Sequence, residues 1–410
     1  MKIAAIICEY NPFHNGHQYQ IEQFKKEHPD AKILALMSGD FTQRGAPAIV
    51  DKYARCKMAL CTGVDTVIEL PSIWATSSAF DFANGAIHLL NSIGGITDLI
   101  FGCEDWHPDL FQEIAGILAQ EPPAYKSSLK SHLAKGLSFP AARQQALNEI
   151  LKEDVSSYIN EPNNLLALEY LRALSQTHSS IRPYAVIRKG SAHTDNTLSS
   201  TLASASALRK EFRKQAPDLK LLRDALPEHS FRILTNYKER NLLMSEQDFS
   251  PQVSYALTCS DSISLRKTDG IDSDLADRIL NLRSTYINWD GFCELLKTKN
   301  YTYTRISRIL THLLLKQTDE LVSLAKDCSY SPYIRILGCK KSETMIIKNL
   351  KASATIPVID KLSAAPKQLS KCGSKVLNHD IFVSEIYRNA QRIKSKEDIL
   401  NEYQRGIVLI

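Results

Sequence analysis

His14 and His17 stand three apart around Asn15-Gly16 and are the first chemistry-bearing group in the chain. Two imidazoles at a helix start can donate to phosphate oxygens and support charge that builds up in a transition state. Gly16 lets the backbone come close to a ligand. The spacing also fits two helix-surface residues, or half a zinc site, but no third ligand is grouped nearby. Asp40 and Arg44 lie in a polar, glycine-bearing stretch, SGDFTQRG. Gly102 to Asp105, Asn163-Asn164 and Arg188 are further polar positions where an element ends or begins. Arg188 is followed by Lys189-Gly190 and a polar loop with His193 and Asp195. Ser204, Ser206 and Arg209 open a Ser-rich helix. Hydroxyls at a helix start followed by Arg can hold phosphate, or the serine can be a plain N-cap.

These positions need elements that bring them together. Ile3 to Ile7 is an uncharged run that reads as a buried parallel strand, turning through Asn11-Pro12-Phe13 into a helix over about 18–27. Further strands are expected over 32–37, 66–70, 98–101 and 184–188, and helices over about 52–61, 78–92 and 165–174. Strands separated by helices predict an α/β fold with a parallel sheet, in which ligands lie beyond the carboxyl ends of the strands. Beyond Pro217 the pattern is mainly amphipathic helix, with one expected strand over 355–359 that Pro357 confines to a sheet edge. The expected organisation is therefore a Rossmann-like catalytic domain over 1–215 and a mainly α-helical domain over 216–410.

The helical half mixes basic and aromatic residues. One group holds Lys297, Lys299, Tyr301, Tyr303, Arg305 and Arg308. A second holds Tyr333, Arg335, Lys340, Lys341, Lys348 and Lys351, and a third Tyr387, Arg388, Arg392, Lys394 and Lys396. Basic charge tracks phosphate and aromatics stack on unpaired bases, so an RNA-facing surface is expected, against the reading of solvated helix faces. The 410 residues carry a formal charge of +5, which allows RNA binding without requiring it. No apolar run is long enough for a membrane span, and the opening MKIAAIICEYN reads as structure rather than a leader. Nine dispersed cysteines without a CxxC pair predict reduced thiols and a cytoplasmic location.

The strand–turn–HNGH–helix order resembles the HxGH signature of the nucleotidyltransferases. Together with EYNPFHNGH, MSGDFTQRGAPAI, FGCED, EPNN, IRKG, SASALRK, YTYTR and SPYIRILG, the whole chain resembles the bacterial tRNA(Met) cytidine acetate ligase family. The resemblance implies a two-step ligase. Acetate and ATP give acetyl-adenylate, and the acetyl group passes to N4 of the wobble cytidine of elongator tRNA(Met), giving N4-acetylcytidine. It implies an ATP site made of Ile7, Cys8, Glu9, Tyr10, Asn11, Pro12, Phe13, His14, Asn15, Gly16, His17, Gln18, Tyr19 and Gln20, with Gly102, Asn163 and Arg188. His14 and His17 would act in catalysis, and Asp40 is added to them from its place in the second strand's loop, on the cytidine or acetate side with Arg44. Ser206 and Arg209 would add phosphate contacts. From the basic and aromatic groups above, and not from the resemblance, Lys299, Tyr301, Tyr303, Arg305, Arg308, Arg335, Lys340 and Lys341 would face tRNA.

Adenylation brings a carboxylate to a phosphate, so positioning and positive electrostatics are the main requirement. Mg²⁺ is expected on the pyrophosphate, although no carboxylate cluster marks protein ligands for it. A small-molecule adenylyltransferase acting on a phosphorylated metabolite, and a non-catalytic RNA-binding protein, are the competing readings.

Overall fold

The computed structural model describes residues 2–188 and 202–410. Ten strands are labelled in chain order: β1 Ile3–Cys8, β2 Lys32–Ser38, β3 Phe41–Thr42, β4 Ala46–Pro47, β5 Thr66–Leu70, β6 Ile96–Cys103, β7 Arg182–Ile187, β8 Ile334–Cys339, β9 Val358–Ile359 and β10 Val408–Leu409. Eight form one sheet in the order β10-β8-β5-β2-β1-β6-β7, with β9 branching from β8. β1, β2, β5, β6 and β7 are parallel, as the alternation of strand and helix predicts. β1 is fully flanked, and its Ala4, Ala5 and Ile6 are buried. Its small side chains let helices pack closely on both faces.

From β1 the chain moves to β2 on one side and later returns to β6 on the other. The sheet therefore has a switch point between β1 and β6, beyond whose strand ends a ligand crevice is the rule in open α/β sheets.

The boundary at residue 215 does not survive. β8, β9 and β10 all come from the second half, and they extend the same sheet past β5. β8 was missed as a strand because IRILGC sits inside a basic stretch; all six of its residues are buried. It runs antiparallel to β5. The expected strand over 355–359 is the two-residue β9, attached only to β8, in line with the confinement that Pro357 imposes.

What does form a separate helical unit is the stretch from about Met244 to Leu315. It has its own apolar core around Trp289, Phe249, Phe292 and Leu310, closed by Phe41 from the β2 loop and by Val383 and Tyr387 of the Lys371–Ser395 helix. No helix among the described residues is long and apolar enough to cross a membrane.

One cysteine expectation also changes. Cys328 and Cys372 are bonded to each other, joining the end of the Asp319–Asp327 helix to the start of the Lys371–Ser395 helix. The two are 44 residues apart, so no spacing motif announces the pair.

Candidate active site

The turn after β1 is built from the inside out. Tyr10 and Phe13 are buried and meet edge to face, with ring centroids 4.6 Å apart. The Asn11 side chain accepts the N–H of Ile49 (2.8 Å). This apolar floor fixes the entry to the Asn15–Glu27 helix, which starts three residues earlier than expected. His14 is consequently the N-cap and His17 the third helical residue. The His14 N–H donates to His17 Nδ1 (3.2 Å), and the Gly16 N–H donates to His14 Nδ1 (3.0 Å). The two rings stack, with centroids 3.8 Å apart. Gly16 is required here, since a Cβ would lie 2.9 Å from the His14 ring.

This reciprocal cap decides the tautomers. A ring nitrogen that accepts a backbone N–H carries no proton, so each neutral imidazole keeps its proton on Nε2. Burial, then the neighbouring His14 and Arg188, hold the His17 pKa well below the usual imidazole range. The pair thus offers Nε2–H donors beside a helix N-terminus, where free backbone N–H groups also favour an anion.

The other wall comes from β6 and β7. Arg188 follows β7, and its N–H donates to the Cys103 carbonyl (2.9 Å). Its stem lies over Gly102, where a Cβ would meet Arg188 Cγ at 3.4 Å. Next to Gly102, Glu104 accepts from the Asn163 side chain and from the Asn164 N–H (3.0 Å), while Asn164 Oδ1 accepts the Glu104 N–H (2.9 Å). The start of the Pro162–Gln176 helix is thereby pinned to the end of β6.

A third component is the Ala205–Phe212 helix. Ser204 caps it by accepting the Ala207 N–H (3.2 Å) and meets Ser206 Oγ at 3.0 Å, so the N-cap reading of this serine holds. Arg209 donates to the Asn11 carbonyl (2.7 Å), which ties this helix to the HNGH turn. Burial, followed by repulsion from Arg213, brings its pKa down to about 10.

Several expected positions are therefore brought together: His14, His17, Gly102, Asn163, Arg188, Ser206 and Arg209. Others are not. Cys8, Tyr10, Pro12 and Phe13 are buried and Ile7 is half-buried, so these side chains serve the packing beneath the turn. Gln18 turns away to Glu22 (2.8 Å), Tyr19 packs against the core, and Asn15 donates to the Asp224 carbonyl (2.8 Å).

Asp40 is corrected from a catalytic to a structural group. It is 3% exposed and accepts the Lys52 N–H (2.8 Å) at the start of the Lys52–Cys61 helix. Burial, partly opposed by Lys52, pushes its pKa up to about 6.

Arg335 is also reassigned. It is buried against Glu69 (3.0 Å) and Glu402 rather than turned to RNA. Lys340 pairs with Asp65 (2.9 Å), and Lys341 follows it at the amino end of the parallel strands. The antiparallel direction of β8 carries both to the edge of the sheet opposite the crevice. In the third basic group Tyr387 is a core residue donating to the Ala48 carbonyl (2.7 Å). Lys189, Gly190, His193 and Asp195 lie outside the described residues.

Arg55 escaped the sequence reading. Its fully buried guanidinium donates to the carbonyls of Glu9 (2.6 Å), Ser38 (3.0 Å), Gly39 and Val50 (3.2 Å), so it clamps the ends of β1 and β2. Glu9 Oε1 accepts the Gln43 N–H (2.9 Å), joining the two strand-end loops. The available signal was Arg55 on the same helix face as Met58 and Ala59, a cation in an apolar stripe.

Ser72, His379 and Asp380 also meet, but Asp380 accepts from Ser72 (2.6 Å) rather than from the imidazole. His379 Nε2 is bonded to the Leu315 carbonyl (2.9 Å). All three are buried, and the geometry joins helices rather than activating a nucleophile.

A parallel sheet with imidazole and guanidinium donors at its switch point defines an α/β protein of nucleotidyltransferase type. The family model described as HIGH Nucleotidyl Transferase matches residues 1–402. A tRNA(Met) cytidine acetate ligase of Caldanaerobacter subterraneus subsp. tengcongensis is 38% identical over 396 residues, covering 96% of each chain. One of Clostridium perfringens is 38% identical over 401 residues, covering 94% of this chain and 95% of that one. Crystal structures of Thermotoga maritima TmcAL superpose over the whole of both chains at 28% identity, with a TM-score of 0.94 for the apo form and 0.91 for the form bound with alpha-thio ATP. The chain belongs to the tRNA(Met) cytidine acetate ligase family of HIGH nucleotidyltransferases.

Proposed function

We propose that this chain activates acetate with ATP and acetylates N4 of the wobble cytidine, C34, of elongator tRNA(Met) in the cytoplasm. In the first step an acetate oxygen attacks the α-phosphorus, the bond to the β-phosphate bridge breaks, and pyrophosphate leaves. In the second, the cytidine N4 attacks the acetyl carbonyl, AMP leaves, and the nitrogen loses a proton.

The observation that carries this reading is the capped histidine pair. Both Nδ1 atoms accept backbone N–H groups, so each ring proton lies on Nε2, the atom that would donate to a phosphate oxygen. Fixed donors stabilise charge as it develops without having to reorganise, which is the main need when two anions must meet. Arg188 adds a cation on the β6 side, and the Ala205–Phe212 helix start adds hydroxyls.

Mg²⁺ would be held by phosphate oxygens and water. Among the described residues no group of three His, Cys, Asp or Glu side chains could cage it.

The test is mass analysis of tRNA(Met) after incubation with enzyme, ATP and labelled acetate. One labelled acetyl on C34 is expected. Acetate-dependent ATP–pyrophosphate exchange without any tRNA product would overturn the acceptor, and exchange driven by a phosphorylated metabolite instead would overturn acetate.

A further inference from the structure

The helical unit meets the sheet through the loop that follows β2. Ser307 Oγ donates to the Gly45 carbonyl (2.6 Å) and itself accepts from Trp289 Nε1 (3.0 Å). Gly45 has a φ of +69°, and a Cβ there would lie 2.2 Å from the Arg308 backbone nitrogen. Only glycine fits, and the Tyr303–Leu314 helix is locked against the loop at Arg308.

The guanidinium of Arg308 is largely covered, yet among the described residues it makes no hydrogen bond or ion pair, and the nearby Asp269 acts on it only through space. Its neighbour one turn back differs. Arg305 pairs with Asp272 (3.0 Å) and lies over the Tyr301 ring (4.8 Å). A covered cation without a partner is costly unless an anion completes it.

We propose that Arg308 receives a backbone phosphate of the RNA strand that carries the acceptor cytidine. The proposal rests on the tRNA reading above and deepens it. Position favours RNA over the nucleotide. The histidine pair and Arg188 sit at the β1–β6 crevice, whereas Arg308 stands off the loop of β2, on the opposite side of β1.

The loop also links the two sites. Gln43 is bonded to Glu9 at the end of β1, and Arg44 lies within electrostatic reach of Arg209 beside the HNGH turn. Arg209, Arg44, Arg308 and Arg305 therefore follow one another from the nucleotide crevice to Tyr301 and Tyr303. Cations in sequence fit a strand with one charge per nucleotide, and the aromatics fit its unstacked bases.

The experiment compares the unmodified protein with Arg308→Gln. Equilibrium binding of labelled tRNA(Met) is measured across a salt series, and acetate-dependent ATP–pyrophosphate exchange is measured on the same preparations. Binding is expected to weaken about tenfold, and the slope of log affinity against log salt to fall by about one, with the ATP KM unchanged. Unchanged affinity and slope overturns the proposal, as does a rise in the ATP KM with RNA binding intact. Arg308→Met keeps the apolar stem and replaces the Gln variant if exchange is lost in it. RNA affinity is read directly, so a protein that binds tRNA but never acetylates it refutes the function and leaves Arg308 decided by its own slope.

Discussion

Two sets of charge in the molecule behave in opposite ways. Lys52, Glu69, Arg335 and Glu402 form a closed set. Lys52 is 2.7 Å from Glu69 and 3.1 Å from Glu402, and Arg335 bridges the same two carboxylates. Burial opposes the charge on Glu402, but Lys52 and Arg335 outweigh it and bring its pKa down to about 2. Elsewhere, His17 and Arg188 beyond the β1–β6 strand ends and Arg308 off the β2 loop are bonded to no carboxylate among the described residues, and Glu104 and Asp269 act on the two arginines only through space. Closed charge is scaffold: it fixes where Asp40, Arg55 and the strand ends lie. Open charge marks the candidate site, and the substrates' anions are the partners proposed for it.

Removing a carboxylate from the closed set should give the largest effect. Glu402→Gln leaves Lys52 and Arg335 short of a counter-charge and should cost about 3–5 kcal/mol of stability, read by denaturant unfolding. A variant as stable as the parent would show that the cluster is not closed. In the open set, His14→Ala or His17→Ala should lower acetate-dependent exchange about 10²–10³-fold, while loss of the cap costs only about 1 kcal/mol of stability. If either variant lost stability and kept exchange, scaffold and site would have to trade places. Arg188→Gln should act on nucleotide alone, raising the ATP KM about tenfold by loss of one charged contact. An unaltered KM would take Arg188 out of the open set.

The smallest effect is on pH. His17 and His379 are both neutral-biased by burial, with His379 brought down to about 4. Below pH 6.5 the unfolded chain takes up protons that the folded chain refuses, so stability should fall as pH drops from 6.5 towards 4. Exchange should stay level from pH 8 to 6.5, because His17 remains neutral there. A decline centred near 6.5 would mean that its Nδ1 is not held by the cap.

The HNGH turn was legible because its signals are local. An apolar run, a proline turn, a glycine and a helix start lie within 17 residues, and local sterics and capping fix their relation. The parallel strands β1, β2, β5, β6 and β7 were legible for the same reason, from alternating apolar and helical patterns. Arg55 was missed and Asp40 was misplaced because a charged residue looks the same in sequence whether it meets solvent, substrate or a buried backbone group. Arg335, Lys340 and Lys341 were misjudged because strand direction decides which end of the sheet a residue reaches, and β8 runs against its neighbour.

By itself, then, the sequence determined the chemistry of the first turn, the α/β class and the family. Tertiary structure alone decided that the second half completes the sheet, that Glu402 closes a cluster with residues more than 300 positions away, and that Arg308 makes no hydrogen bond or ion pair among the described residues. Those facts depend on which distant surfaces meet and exclude water, and the cost of burying charge is set by that meeting rather than by any residue's neighbours in the chain.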